Sequence, residues 1–528
     1  MSVDERAPDG APRAAPLRAQ ELRAAQAYPH PVGPIELVET NTSLIALTGE
    51  YAYKIKKPVA LEFLDTTTLA RRRFLCEEEL RLNVRLAPQL YLDVVPIART
   101  PAGLRVGAWG EIVEYAVRMR QFDRTLELSA LLERDAVQPA EIAALAVRIA
   151  RFHEDAARSA ARPDFANTAQ MRAAVLGNLA TLLAHVDGAP AAPELGTLID
   201  WTHDVLHGSA RRFEAREADG FVRECHGDLH ARNVVRWRGE LTPFDCLEFD
   251  PRLRWIDVMN DLAFMVMDLT ARNRGDLAAV FLNAYLEKTG DYAGVRLLPF
   301  YAVYRALVRA MVDALAAEGD AGRRAEHAAR SRARIRAAAQ FMHPPRPVLV
   351  LMHGPSGSGK SWLSERLVPS IAAVRVRSDV ERKRIAATAS SAAEGLYTPA
   401  FNALTYAHLL ECAAGCLQGG VSTIVDAAAL RRTDRELFRN LAAAMRVPFT
   451  IVSCDAARGV LAERILRRQR AAADPSDAGV DVLDVQLASM EPLGEAERRY
   501  VVEVATADPR APDVARTAIL AARDAAAP

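Results

Sequence analysis

Two stretches of this chain carry residue types whose spacing suits phosphoryl chemistry. The first is His226-Gly227-Asp228-Leu229-His230-Ala231-Arg232-Asn233, with Asp245 twelve residues after the Asn. The second is Gly354-Pro355-Ser356-Gly357-Ser358-Gly359-Lys360-Ser361, a complete G-x-x-x-x-G-K-S pattern. Moving a phosphoryl group needs a cation on the donor phosphates, metal ligands, a group that takes the acceptor proton, and a held geometry. The first stretch offers Asp228 for the proton and Asn233 and Asp245 for a metal. The second offers backbone N–H groups for phosphate, Lys360 for the β/γ oxygens and Ser361 for Mg2+.

Each set needs elements to position it. Ile35–Val38, Ser43–Leu47 and Tyr51–Lys56 read as strands. A helix is expected over Thr66–Leu86, then strands at Tyr91–Ile97 and Ile112–Met119. Lys54 and Lys56 share one face of their strand, and Lys54 is preferred as the phosphate cation. Its helix partner is expected among Glu77, Glu78 and Glu79. Glu78 is preferred, three residues after Leu75 and four before Leu82. Beyond Phe122 the chain reads as mostly helical, and His343-Pro344-Pro345-Arg346-Pro347 is a linker.

After the linker, Val348–Met352 is a continuous apolar run leading into the Gly-rich loop, as expected of a strand buried on both faces. Val374–Val376, Ser422–Val425 and Phe449–Val452 are further short strands separated by helical stretches. That alternation predicts a doubly wound α/β domain. Asp426 ends one strand and suits Mg2+, with Ala427-Ala428-Ala429 rather than a hydrolytic acid beside it. Asp379 follows another strand and suits a hydroxyl proton. Arg464, Arg467, Arg468 and Arg470, then Asp474–Ala478, have the make-up of a lid, with Arg464 and Arg468 preferred for phosphate contact.

The first set resembles the aminoglycoside phosphotransferase and choline kinase superfamily, on His226-Gly227-Asp228-Leu229-His230 and Asn233. Protein kinases carry Arg where Gly227 stands, and Asp245-Cys246-Leu247-Glu248 replaces their Asp-Phe-Gly. The resemblance covers about residues 30–340. It implies an α+β bilobal kinase-like fold, an interlobe hinge at Val117–Phe122 whose backbone at Met119 and Gln121 reads adenine, and a structural Asp261. Residues 347–510 resemble small P-loop kinases such as gluconate kinase, zeta toxin and chloramphenicol phosphotransferase. The whole is similar to bacterial fusions of the two.

The 528 residues suit two or three domains. The division expected is a disordered or loose start at 1–28, a kinase-like domain at 29–342, a linker at 343–347, a P-loop domain at 348–510 and an Ala-rich tail at 511–528. Lys plus Arg and Asp plus Glu number 67 each, so no bulk field points to nucleic acid or membrane. No apolar run approaches about 18 residues, and the six cysteines form no C-x-x-C pair. A cytoplasmic protein with reduced thiols is expected. Together these observations lead to an ATP- and Mg2+-dependent phosphotransferase of small-molecule hydroxyl or amine acceptors, with two ATP sites. A nucleotide-sensing or toxin-like P-loop module is the alternative for the second half, and a protein kinase is a third reading.

Overall fold

The computed structural model describes residues 17–61, 64–164, 166–186, 192–319, 322–387, 395–471 and 479–525. They form two compact units. One is Met1–Ala136 with His226–Trp255, and the other is Val137–Cys225 with Ile256–Pro528.

The first unit is built on an antiparallel sheet of β1 (Glu36–Glu39), β2 (Ser43–Leu47), β3 (Tyr51–Lys56), β4 (Tyr91–Thr100), β5 (Gly103–Val106) and β6 (Glu111–Arg120). Its spatial order is β1-β2-β3-β6-β4-β5. Alternation along β3 decides what each face holds. Tyr53 and Ile55 join a core with Leu22, Ile97 and Val106. Ala52 joins the other, with Cys76, Tyr91, Val117 and Met119. That second face is covered by helix α1 (Leu69–Asn83), which starts at a Thr68 cap whose side chain accepts from the Arg71 N–H. The helix is shorter at both ends than the expected Thr66–Leu86.

The hairpin β7 (Val234–Trp237) and β8 (Glu240–Pro243) follows the His226–Asn233 loop within this unit. The start of the chain differs from expectation. Residues 17–28 contain two 3₁₀ turns, Ala19–Arg23 and Ala25–Ala27, which bury Leu22 and Ala27, while the first sixteen residues lie outside the described part.

The second unit opens with helices, among them α2 (Pro139–Asp155), α3 (Val258–Ala271) and α4 (Gly275–Thr289). Buried polar pairs pin them. His153 Nε2 lies 3.1 Å from Asp261 Oδ2 and its Nδ1 2.9 Å from the Tyr285 hydroxyl. Arg216 is held by Asp257 and Asp291 at 2.6–2.8 Å.

The rest of the unit is a parallel sheet of β9 (Leu349–His353), β10 (Ala373–Arg377), β11 (Ser422–Asp426), β12 (Phe449–Asp455) and β13 (Val501–Ala505), ordered β10-β11-β9-β12-β13. The central β9 is buried at every position, as its apolar run requires. Flanking helices include α5 (Lys360–Ser370), α6 (Ser378–Ala386), α7 (Pro399–Gln418), α8 (Arg458–Ala471), α9 (Val480–Ser489) and α10 (Ala511–Ala525). The strand β13 was not legible in the sequence. The expected tail is α10, whose Ala511, Ala515 and Ile519 share a core with Val350, Leu363 and Val504. All six cysteines are buried free thiols, and no helix among the described residues is long and apolar enough to cross a membrane.

Candidate functional site

In the first unit the site grows from β3 and α1. Alternation places Lys54 and Lys56 on the face toward α1, where both meet one carboxylate. Glu79 Oε1 is 2.8 Å from Lys54 Nζ, and Glu79 Oε2 is 2.5 Å from Lys56 Nζ. Each lysine has a second acid: Asp245 Oδ1 at 2.5 Å for Lys54 and Glu248 Oε1 at 2.5 Å for Lys56. The expected choice of Glu78 is therefore corrected. Glu78 pairs with Arg81 and Arg254 instead. Glu77 pairs with Arg73 at the surface.

Glu79 is fully buried. Burial pushes its carboxyl up, and the two lysines outweigh that and hold it well below the ordinary range. For Lys54, burial works against the charge, and the Asp245 and Glu79 carboxylates outweigh it, so the ammonium stays well above the ordinary lysine value.

The loop at His226–Asn233 is braced from inside. His226 Nε2 lies 2.9 Å from the Phe244 carbonyl. Asn233 Nδ2 donates to Asp228 Oδ2 at 2.8 Å and to the Asp228 carbonyl at 3.0 Å. His230 Nε2 lies 3.3 Å from the same carboxylate oxygen. Gly227 has φ +84°, and a Cβ there would stand 3.0 Å from the Leu253 carbonyl and 3.2 Å from Leu247 and Arg254 Cβ. Arginine does not fit this position without backbone movement.

Asp245 itself adopts φ +64°, a conformation that side chains rarely take. Two groups hold it there: its N–H donates to the Tyr91 hydroxyl at 3.1 Å, and the next N–H, of Cys246, to Asn83 Oδ1 at 2.9 Å. Neither Tyr91 nor Asn83 was singled out in the sequence.

The expected adenine-reading backbone is engaged otherwise. Met119 lies in the sheet opposite Ala52 and Tyr91, and the Gln121 N–H donates to the Glu50 carbonyl at 3.0 Å. The Gln121 side chain accepts from the Gly49 N–H at 2.8 Å. Gln121 thus closes the β2–β3 turn, and its N–H is not held open for a base.

In the second unit the C-terminal edge of the parallel sheet delivers three groups to one cavity of about 860 Å3. The strand β9 leads into the Gly354–Ser361 loop, β10 leads to Asp379 at the start of α6, and β11 ends at Asp426. Ser356, Gly357, Gly359, Lys360, Ser361, Asp379, Asp426, Arg464 and Arg467 line the cavity. Gly354 and Ser358 shape the loop from below, where the fully buried Ser358 carbonyl accepts from the Thr506 hydroxyl at 2.7 Å. Gly359 has φ +89°, and a Cβ would meet Thr506 Oγ1 at 2.8 Å. Arg464 Nη1 donates to that same hydroxyl oxygen at 2.9 Å and to the Gly357 carbonyl at 3.3 Å.

Lys360 Nζ rests 2.8 Å from the Pro355 carbonyl. Asp426 accepts from Ser364 Oγ at 3.1 Å. The Ser356 N–H donates to Gln486 Oε1 of α9 at 2.7 Å, a contact the sequence did not announce. The Arg468 side chain and Asp474–Ala478 lie outside the described residues.

Oxygen donors dominate both sites: Asn233 and Asp245 in one, Ser361 and Asp426 in the other. Hydroxyl, amide and carboxylate oxygens suit Mg2+. With its nitrogen given to Asp228, Asn233 retains its amide oxygen for a metal.

The family model described as an AAA domain matches residues 349–493. Among solved structures, a gluconokinase from Sinorhizobium meliloti covers 34% of this chain and 96% of its own at 23% identity and a TM-score of 0.27. A choline/ethanolamine kinase family protein from Mesorhizobium loti covers 62% of this chain and 95% of its own at 14% identity and a TM-score of 0.37. Uncharacterized protein Rv2004c of Mycobacterium tuberculosis is 30% identical over 455 residues, 85% of this chain and 88% of its own length. The chain belongs to the family of that mycobacterial protein.

Proposed function

We propose that the chain is a bifunctional ATP- and Mg2+-dependent phosphotransferase acting on small hydroxyl or amine acceptors. The observation that carries this reading is the pair of complete residue sets, each gathered within one compact unit. At the first, Lys54 stands beside Asp245, and Asp228 is oriented by Asn233. At the second, Lys360, Asp379 and Asp426 face one cavity.

The reaction is the same at both. The acceptor oxygen attacks the γ-phosphorus, the bond to the bridging oxygen of ADP breaks, and Asp228 or Asp379 takes the acceptor proton. Bound Mg2+ would offset charge on the phosphate oxygens, held by Asn233 and Asp245 in the first site and Ser361 and Asp426 in the second. Asn233 fixes one oxygen of Asp228, so the carboxylate meets the acceptor in one orientation. Lys54 binds donor phosphate, and Glu79 keeps it charged and in place. No acid follows Asp426 in the chain, where Ala427, Ala428 and Ala429 stand. Transfer is favoured over hydrolysis on that ground.

The test is a metabolite screen with ATP and Mg2+, comparing wild type with Asp228→Ala and Lys360→Ala. Two product sets, each lost in one variant only, support the reading. Absence of phosphorylated products from every pool sinks it.

A further inference from the structure

Ser361 and Asp426, the Mg2+ ligands expected of the P-loop site, are tied to a side chain outside the Gly-rich loop. Arg375 lies on β10 and is 7% exposed. Its Nη1 donates to the Ser361 carbonyl at 3.2 Å and to Ser364 Oγ at 3.4 Å. Ser364 Oγ in turn donates to Asp426 Oδ2 at 3.1 Å. Ser364 is fully buried, and Asp426 is 5% exposed. One guanidinium therefore reaches the backbone of one metal ligand directly, and the carboxylate of the other through a single hydroxyl.

The other end of that guanidinium is held from α4. Arg375 Nη2 lies 3.3 Å from Glu287 Oε2, and Glu287 Oε1 lies 3.0 Å from Arg377 Nη1. Strand alternation puts positions 375 and 377 on one face, so one acid meets both. Further contacts fix α4 against this strand. Asn283, one turn before Glu287, accepts the Arg375 N–H at 2.7 Å, and Arg384 Nη2 donates to the Glu287 carbonyl at 2.7 Å. Because α4 precedes the Pro-rich linker, the acid comes from outside the parallel sheet and the helices that follow its strands.

A buried arginine needs a counter-ion, and a cation beside a metal site opposes the metal. Glu287 answers both demands, since it offsets charge at Nη2 while Nη1 serves the loop. Without Glu287, the carboxylate that Arg375 already reaches through Ser364 is Asp426. Arg375 then competes with Mg2+ for that acid.

We propose that Glu287 is a positioning residue for the P-loop site: it holds Arg375 in an ion pair, so that Asp426 stays available to Mg2+ while Ser361 and Ser364 keep their places. The proposal rests on the reading of Ser361 and Asp426 as Mg2+ ligands of a phosphotransferase. An acid on α4 thereby sets how tightly this site takes Mg·ADP.

The test measures ADP binding to the full chain by calorimetry, once with Mg2+ and once with EDTA. The P-loop component is the one lost in Lys360→Ala. Wild type is expected to bind ADP more tightly with Mg2+, and the ratio of the two affinities is the metal gain. Glu287→Gln keeps the shape of the side chain and removes its charge. Its metal gain should fall by about fivefold or more. Its affinity in EDTA should stay equal or rise, because an uncovered arginine attracts the ADP anion. Adding Arg375→Gln to Glu287→Gln should raise the gain again, since the competing cation is gone.

A merely structural Glu287 lowers both affinities together, or neither, and either result overturns the proposal. So does a double variant whose gain is no higher than that of Glu287→Gln. A wild type with no metal gain at this site removes Ser361 and Asp426 as metal ligands, and the proposal with them. A gain that follows Glu287 as expected, with no phosphorylated product from any acceptor pool, keeps the positioning role and removes the phosphotransferase reading.

Discussion

Glu79 stands 2.8 Å from Lys54 inside the first unit, and its other oxygen is shared with Lys56. One buried carboxylate thus bridges two neighbouring lysines of a single strand, each of which also meets a second acid. Glu79→Ala removes the carboxylate that Lys54 and Lys56 share and leaves each with one acid, Asp245 and Glu248. Removing one partner of a buried ion pair costs about 3–5 kcal/mol. Glu78→Ala breaks partly exposed pairs, worth at most about 1 kcal/mol. Urea denaturation of the two variants separates these magnitudes, and first-site transfer is lost in the first variant only.

The same cluster sets a pH window. Glu79 has a folded pKa below its ordinary 4.5, so its contribution is complete above 4.5 and fades as pH falls through the folded value. Lys54 has a folded pKa above its ordinary 10.5, so its contribution is complete below 10.5 and fades as pH rises through the folded value. Stability from this cluster is flat between those limits. Urea midpoints of wild type and Glu79→Gln should lie far apart at pH 7 and converge below pH 4.5. A constant gap down to pH 3 contradicts the ionised pair.

Gly227 is expected to resist substitution. Gly227→Ala forces a Cβ to 3.0 Å from the Leu253 carbonyl at φ +84°. Strain of this kind costs about 1–3 kcal/mol, and Gly227→Arg adds a large side chain to it. Thermal denaturation measures the loss, and first-site activity falls with it because Asp228 is the next residue.

Gln486 occupies a P-loop N–H that a phosphate oxygen would otherwise use. Displacing one neutral hydrogen bond costs about 0.5–1.5 kcal/mol. Gln486→Ala should therefore tighten Mg·ADP binding by roughly two- to tenfold on that scale. Weaker binding in calorimetry would show that Gln486 supports the loop instead.

Pairing of the second unit's halves gives a further expectation. Glu287 of α4 holds Arg375 at 3.3 Å and Arg377 at 3.0 Å on the edge strand β10, whose Arg375 N–H donates to Asn283 Oδ1 at 2.7 Å. Glu287→Ala leaves Arg375, 7% exposed, without its carboxylate. The expected outcome is a destabilisation of about 1–3 kcal/mol in urea.

The sequence by itself determined the chemistry and the local frame. Lys360 and Ser361 must follow a tight Gly-rich turn, Lys54 and Lys56 must share a face because strand side chains alternate, and Val348–Met352 must be buried on both sides. Local spacing could not choose Glu79 over Glu78. Both stand three or four residues from Leu75 and Leu82, and only the position of β3 against α1 decides which one points inward. Nor could it reveal β13, which pairs with a strand 50 positions earlier (Val501 with Ile451), or Thr506, Gln486 and Tyr91, which act on residues more than a hundred positions away. Tertiary structure alone decided that Gln121 closes a turn, that α10 completes a core, and that Arg382 is buried with its Nη1 on the Leu396 carbonyl. Each depends on which surfaces meet, and periodicity along one segment carries no record of its neighbour.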